Sequence, residues 1–152
     1  MPQVPDLSRL ADETALKALV SSYARCCDLQ DSKGFAALYT ADGILEGEGF
    51  RSDSQDMMES IPRALDRFVK TYHTLLNTMF DVQGDQATGV IYSMAHHLTP
   101  LSGGKYNDLV MYITYHDRYI RTGEAWKFQH RRVAMEFTEN RTVENLDTMP
   151  TL

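Results

Sequence analysis

The stretch Tyr72-His73-Thr74-Leu75-Leu76-Asn77-Thr78-Met79-Phe80-Asp81-Val82 is where the sequence pattern turns from helical to extended. Before it, apolar residues recur every three or four positions. From it onward, Val, Ile, Tyr, Thr and Phe gather in the runs His73 to Val82, Ala87 to Leu98, Leu109 to Ile120 and Trp126 to Phe137, a composition that suits strands. Each run is separated from the next by a glycine-bearing turn: Gln83-Gly84-Asp85, Leu101-Ser102-Gly103-Gly104-Lys105 and Arg121-Thr122-Gly123-Glu124. Short turns between long strands predict an antiparallel meander.

Outward toward the N-terminus the pattern is helical. Residues 1 to 7 read as a loose arm, with Ser8 or Asp12 able to cap the helix that follows. Leu16, Leu19, Val20, Tyr23 and Cys27 form one apolar face of that helix, which should end near Gln30. Asp31-Ser32-Lys33-Gly34 is turn chemistry ahead of a short second helix through Phe35 to Tyr39, and Ile44 to Glu48 is a first strand weakened by its glycine. Ser52 to Tyr72 predicts a third helix with Met57, Ile61, Leu65 and Phe68 buried and a break at Pro62. Helices first and strands last give an α+β domain, a curved sheet covered on one face by helices. We expect one domain over 1–152, with its core in about 10–138 and a mobile or oligomer-contacting tail over 139–152.

Composition narrows the function. Apolar residues at 43% and charged residues at 24% are those of an ordinary globular protein. A net charge of −6 without a basic block works against a nucleic-acid or anionic-membrane partner. Met1-Pro2-Gln3-Val4-Pro5-Asp6 lacks a basic-then-apolar export pattern, and Cys26 and Cys27, adjacent on a helix, point about 100° apart, too divergent for a disulfide. A cytoplasmic protein is expected.

The residue types that carry chemistry are few. Asp28 lies at the rim of the buried helical face, where it is either a solvated helix-end carboxylate or, partly desolvated, a base or the orienter of a histidine. Period two puts His73 on one face with Leu75, Asn77 and Met79, and separates His96 from His97, the latter sharing its face with Ile91, Ser93 and Ala95. Tyr115, with Met111 and Ile113, makes a row suited to core or to a pocket for a flat ligand. Arg131 and Arg132 diverge on the last run; an inward one could bind an anion, an outward one a carboxylate. Metal-ligand spacings, the Gly-x-Ser-x-Gly elbow and the glycine-rich phosphate and dinucleotide loops are missing, so no metal or cofactor is expected.

The order Tyr23-x-x-x-x-Asp28-x-x-Asp31, Leu38-Tyr39-Thr40-Ala41-Asp42-Gly43, broken helix, Tyr72-His73-x-x-x-Asn77 and final Gly123-x-Ala125-Trp126-Lys127-Phe128 resembles the SnoaL-like branch of the nuclear transport factor 2-like superfamily, over roughly residues 10 to 138. The resemblance implies a cone-shaped α+β barrel whose bent antiparallel sheet encloses a pocket. Within the branch, the chain is similar to scytalone dehydratases, hexachlorocyclohexane dehydrochlorinases and bile acid 7-alpha-dehydratases, and this likeness puts Asp28 and His73 in the place of a catalytic dyad. It also matches Tyr23 and His97 to active-site positions and Tyr115 to a pocket position. Cys27 stands where scytalone dehydratases carry a substrate-binding tyrosine, and Met135 where the bile acid enzymes carry a pocket arginine, so neither substrate is carried over. The implied function is a cofactor-independent lyase, a dehydratase or related elimination on a small hydrophobic cyclic substrate. The implied catalytic residues are Asp28, His73, Tyr23 and His97, with Tyr115, Asn77, Met111, Ile113, Met135 and Arg131 around the substrate. The alternatives are an isomerase or polyketide cyclase with the same dyad, and a non-catalytic ligand-binding or dioxygenase small-subunit-like module. A homodimer or homotrimer is expected, since the outer face of such a sheet carries apolar residues.

Overall fold

The computed structural model describes residues 6–144. Helix α1 (Leu7–Asp28) is capped by Asp6, whose side chain accepts from the Ser8 amide at 3.0 Å, so neither Ser8 nor Asp12 is the cap. Its stripe of Leu16, Leu19, Val20, Tyr23 and Cys27 is buried, and the helix ends at Asp28, with Leu29 as its cap and Gln30 turning the chain away at a left-handed φ of 55°. Asp31 caps the short α2 (Ser32–Ala37) by accepting from the Gly34 amide at 2.9 Å.

Strands β1 (Tyr39–Gly47) and β2 (Phe50–Ser52) precede α3 (Gln55–Arg63), which Ser54 caps. The helical stretch expected to Tyr72 breaks at Pro62 as anticipated, but no second helical piece reaches Tyr72: Pro62 cannot continue the hydrogen-bond ladder, the chain tightens into a 3₁₀ turn over Ala64–Arg67, and it is extended by Phe68. The shift also rotates the buried face, so Met58 and Pro62 are inside while Met57 is exposed. The remaining strands are β3 (Lys70–Gln83), β4 (Gln86–Pro100), β5 (Tyr106–Thr122) and β6 (Ala125–Val143). The last strand runs past the boundary expected at 138, because Thr138 to Val143 pair with Met111 back to Tyr106. Residues 145–152 of the expected tail lie outside the described part.

The sheet has the order β2-β1-β6-β5-β4-β3. It is open and not wholly antiparallel: β1 pairs with β6 in parallel. Helix α1 packs along β3, the strand at one edge, and so covers backbone groups that would otherwise be free to pair with another chain. The concave side is filled by the core of Tyr23, Phe35, Tyr39, Tyr115, Tyr119 and Phe128 together with the α1 stripe. Gly89 makes room there, since a Cβ would meet the Tyr119 ring at 2.9 Å. No helix among the described residues is long and apolar enough to cross a membrane.

One local irregularity matters for the site. Leu75 pairs with Ser93 but Thr78 pairs with Ile91, so β3 carries an extra residue at Leu76-Asn77. This bulge inverts the alternation beyond it.

Candidate functional site

The end of α1 and the start of β3 meet at Asp28. Its Oδ1 lies 2.7 Å from His73 Nδ1 and accepts from Thr71 Oγ at 2.9 Å, while Oδ2 accepts from the His73 backbone amide at 2.9 Å. Burial pushes the Asp28 carboxyl up, but the His73 and Thr71 hydrogen bonds outweigh it and hold the group below the usual carboxylate range. With Asp28 ionised, His73 Nδ1 must carry the proton and donate it, which fixes the tautomer and leaves Nε2 as the free basic nitrogen. The arrangement arises because β3 is an edge strand whose outward amide at residue 73 needs an acceptor, and the helix end supplies one.

His97 lies beside this pair. Its ring centroid is 5.8 Å from that of His73, edge to face, and 4.7 Å from that of Phe68. The side chain is buried and its Nδ1 has no hydrogen-bond partner among the described residues. Burial first, and then the His73 charge, lower its proton affinity, so His97 is neutral at neutral pH. Asp28 and His73 border a cleft of about 680 Å³ between α1 and β3, with Leu29, Phe68, Val69 and Tyr72 among its apolar walls. Met111 and Ile113 are in register with Ala95 and Ser93, on the concave face that also carries His97.

Five expected residues, Tyr115 among them, are elsewhere. Asn77 sits at the bulge, where the inverted alternation turns it and Met79 outward, so it does not share the His73 face. Met135 is across from Ile113 on β6 but half exposed, lining a separate depression with Glu46 and Arg132 beside β1. Arg131 is inward, yet its charge is already met: Nε donates to Asp117 Oδ1 at 2.8 Å and Nη2 to Oδ2 at 2.6 Å, both side chains being fully buried. The guanidinium stacks 4.2 Å from the Tyr23 ring, 4.1 Å from Tyr115 and 4.3 Å from Phe128. Tyr23 is therefore part of the cage around Arg131 rather than a wall of the cleft, and burial holds its phenol well above the usual value, as it raises that of Tyr115 to about 12.

Asp117 and Tyr119, whose hydroxyl donates to Asp117 at 2.5 Å, were not singled out in the sequence, nor was Thr71. Period two places Asp117 on the Tyr115 face, a charge in an apolar row, which was the available signal. Among the described residues no group of three His, Cys, Asp or Glu side chains could hold a metal ion.

A family model described as a SnoaL-like domain matches residues 8–132. The chain belongs to the SnoaL-like family. Solved structures agree on the nuclear transport factor 2-like fold. A Mycobacterium tuberculosis protein of unknown function is 26% identical, with 90% of this chain and 78% of that one covered and a TM-score of 0.78. A type 3 hexachlorocyclohexane dehydrochlorinase from Novosphingobium barchaimii is 20% identical, covering 97% and 100% with a TM-score of 0.76. An NTF2-like protein with a cystatin-like fold from Novosphingobium aromaticivorans is 23% identical, covering 86% and 85% with a TM-score of 0.72. No curated protein matches the sequence significantly. SnoaL-like proteins include dehydratases, dehydrochlorinases and cyclases as well as members of unknown function, so family membership leaves the reaction open.

Proposed function

We propose that this SnoaL-like protein is a cofactor-independent lyase that eliminates water or an acid from a small hydrophobic cyclic substrate. The observation that carries the reading is the 2.7 Å contact of His73 with Asp28 at the wall of an open cleft. His73 Nε2 takes the proton from a carbon next to an activating group, the electrons of the C–H bond form the double bond, and the leaving group departs with its own pair. The imidazolium so formed, steadied by the Asp28 carboxylate, returns the proton to a departing hydroxyl, which leaves as water. His97, neutral because it is buried, acts as a hydrogen-bond partner of the developing charge and not as a proton source.

Incubation with a panel of cyclic β-hydroxy and β-halo carbonyl compounds, read by mass spectrometry, tests this. A product lighter by water or acid is expected, lost by about 10²- to 10⁴-fold in both His73→Ala and Asp28→Asn. Unchanged rates in the two variants, or a product of unchanged mass, would overturn the elimination.

The protein is further proposed to act in the cytoplasm as a homodimer or homotrimer. Tyr92 and Phe137 are exposed on the convex side of the sheet, which supports self-association, and light scattering on the eluted protein would give the copy number.

A further inference from the structure

The cleft beside Asp28 and His73 has a charge opposite to that of the protein. Arg25 and Lys70 line it, one from α1 and one from β3, and Arg67 sits at its border with the guanidinium 4.8 Å from the centroid of Phe68, a wall residue. Arg67 is also close enough to His97 for its charge to disfavour protonation there. All three cations are exposed, and among the described residues none has a carboxylate within ion-pair distance. In a chain whose net charge is −6, three such cations gather around this one cleft, whereas Arg9, Arg51, Arg63, Arg121 and Arg141 each hold an acid. The one carboxylate in the cleft wall, Asp28, is committed to His73 and Thr71. Around the cations the wall is apolar: Leu29, Val69 and Tyr72 are all more than half exposed.

From this juxtaposition we propose that the substrate is an anion, with an apolar ring on Leu29, Val69 and Tyr72 and a carboxylate or phosphate group held by Arg25, Arg67 and Lys70. The inference rests on the reading that the cleft beside the dyad is the substrate site. Unpaired cations at the rim of a low-dielectric cleft concentrate field there, so an anionic ligand is drawn in against the overall negative charge. The apolar walls supply the rest of the affinity and the cations select the charge state.

The test uses three probes of one ring system, 2-naphthoate, 2-naphthyl phosphate and the neutral 2-naphthamide, with binding followed by calorimetry on the full chain. At low ionic strength at least one charged probe should bind about tenfold more tightly than the amide, the sum of a few exposed charge contacts. Whichever anion gains more identifies the head group. The advantage should shrink at about 0.5 M salt, where the screening length falls to a few ångströms. It should vanish in R25Q/R67Q/K70Q, while amide binding is kept and K17Q/R132Q behaves as the parent. Equal affinities for the three probes, no binding of either anion, or an advantage that survives the triple substitution would overturn the proposal. His73→Ala should keep the anion preference while losing turnover, so a failure of the dyad chemistry and a failure of the charge selection give different results.

Discussion

Two pairs of a carboxylate with a nitrogen group in this protein are equally short and do opposite things. Asp117 and Arg131 are sealed in the concave core, with the guanidinium stacked against three aromatic rings. Asp28 and His73 sit at the cleft wall, their side chains 21% and 8% exposed. Distance alone does not separate them. A pair that cannot be reached organises packing; one with a free imidazole nitrogen beside solvent can pass a proton on. A third pair, His96 with Asp108 at 2.8 Å, has the same chemistry as the dyad but lies on the convex face, braced by Arg141, away from the cleft.

The contrast is sharpest in stability. Arg131→Ala or Asp117→Ala should each destabilise the fold by about 3–5 kcal/mol, because the partner is left as an uncompensated buried charge, and the melting temperature should fall by roughly 6–20 °C. Joint replacement, Arg131→Met with Asp117→Leu, should recover much of that loss in urea denaturation. A single variant costing under about 1 kcal/mol would erase the distinction between the two pairs. Asp28→Asn, by comparison, should cost only about 1–2 kcal/mol, a few hydrogen bonds at a partly open site, while turnover falls far more steeply.

Acid titration should divide the regions further. The Asp28 carboxyl lies below its unfolded value of about 4, so it contributes stability above that pH and loses it as pH falls through the lower folded value; Asp28→Asn should flatten this acid limb. His97 is a base whose folded proton affinity is lowered. The unfolded chain therefore binds more protons below about pH 6.5, and stability declines from there downward, a slope that His97→Gln should remove from the pH dependence of the denaturation midpoint. The smallest effects are expected outside both regions. Asn77→Ala, at the bulge, and His96→Gln, on the far face, should leave turnover within about twofold.

Much of the fold was legible in order. The change of period near Tyr72, the glycine turns and the α1 stripe are local signals, set by how side chains alternate on a strand or recur on a helix, and the four long strands form where they were read, each a few residues longer, whereas β1 begins five residues before its expected start and β2 was not expected. The family likeness singled out Asp28, His73 and His97, and the structure puts those three side by side. Asn77 was misplaced because a one-residue bulge carries no compositional mark, yet it reverses every side chain after it. Arg131 was legible as a divergent arginine but not as a neutralised one, since its partner Asp117 is fixed by cross-strand register between β5 and β6.

What the sequence determined by itself, then, is whatever depends on neighbours along the chain: an α+β order, the helical and strand faces, the turns and the residues able to move a proton. Tertiary structure decided which charges meet. The carboxylate at 28 finds the imidazole at 73 only because α1 is laid along the edge of the sheet, and the arginine at 131 is spent on Asp117 only because two strands align them. Pair energies depend on distance and burial in space, and neither is a function of separation along the chain.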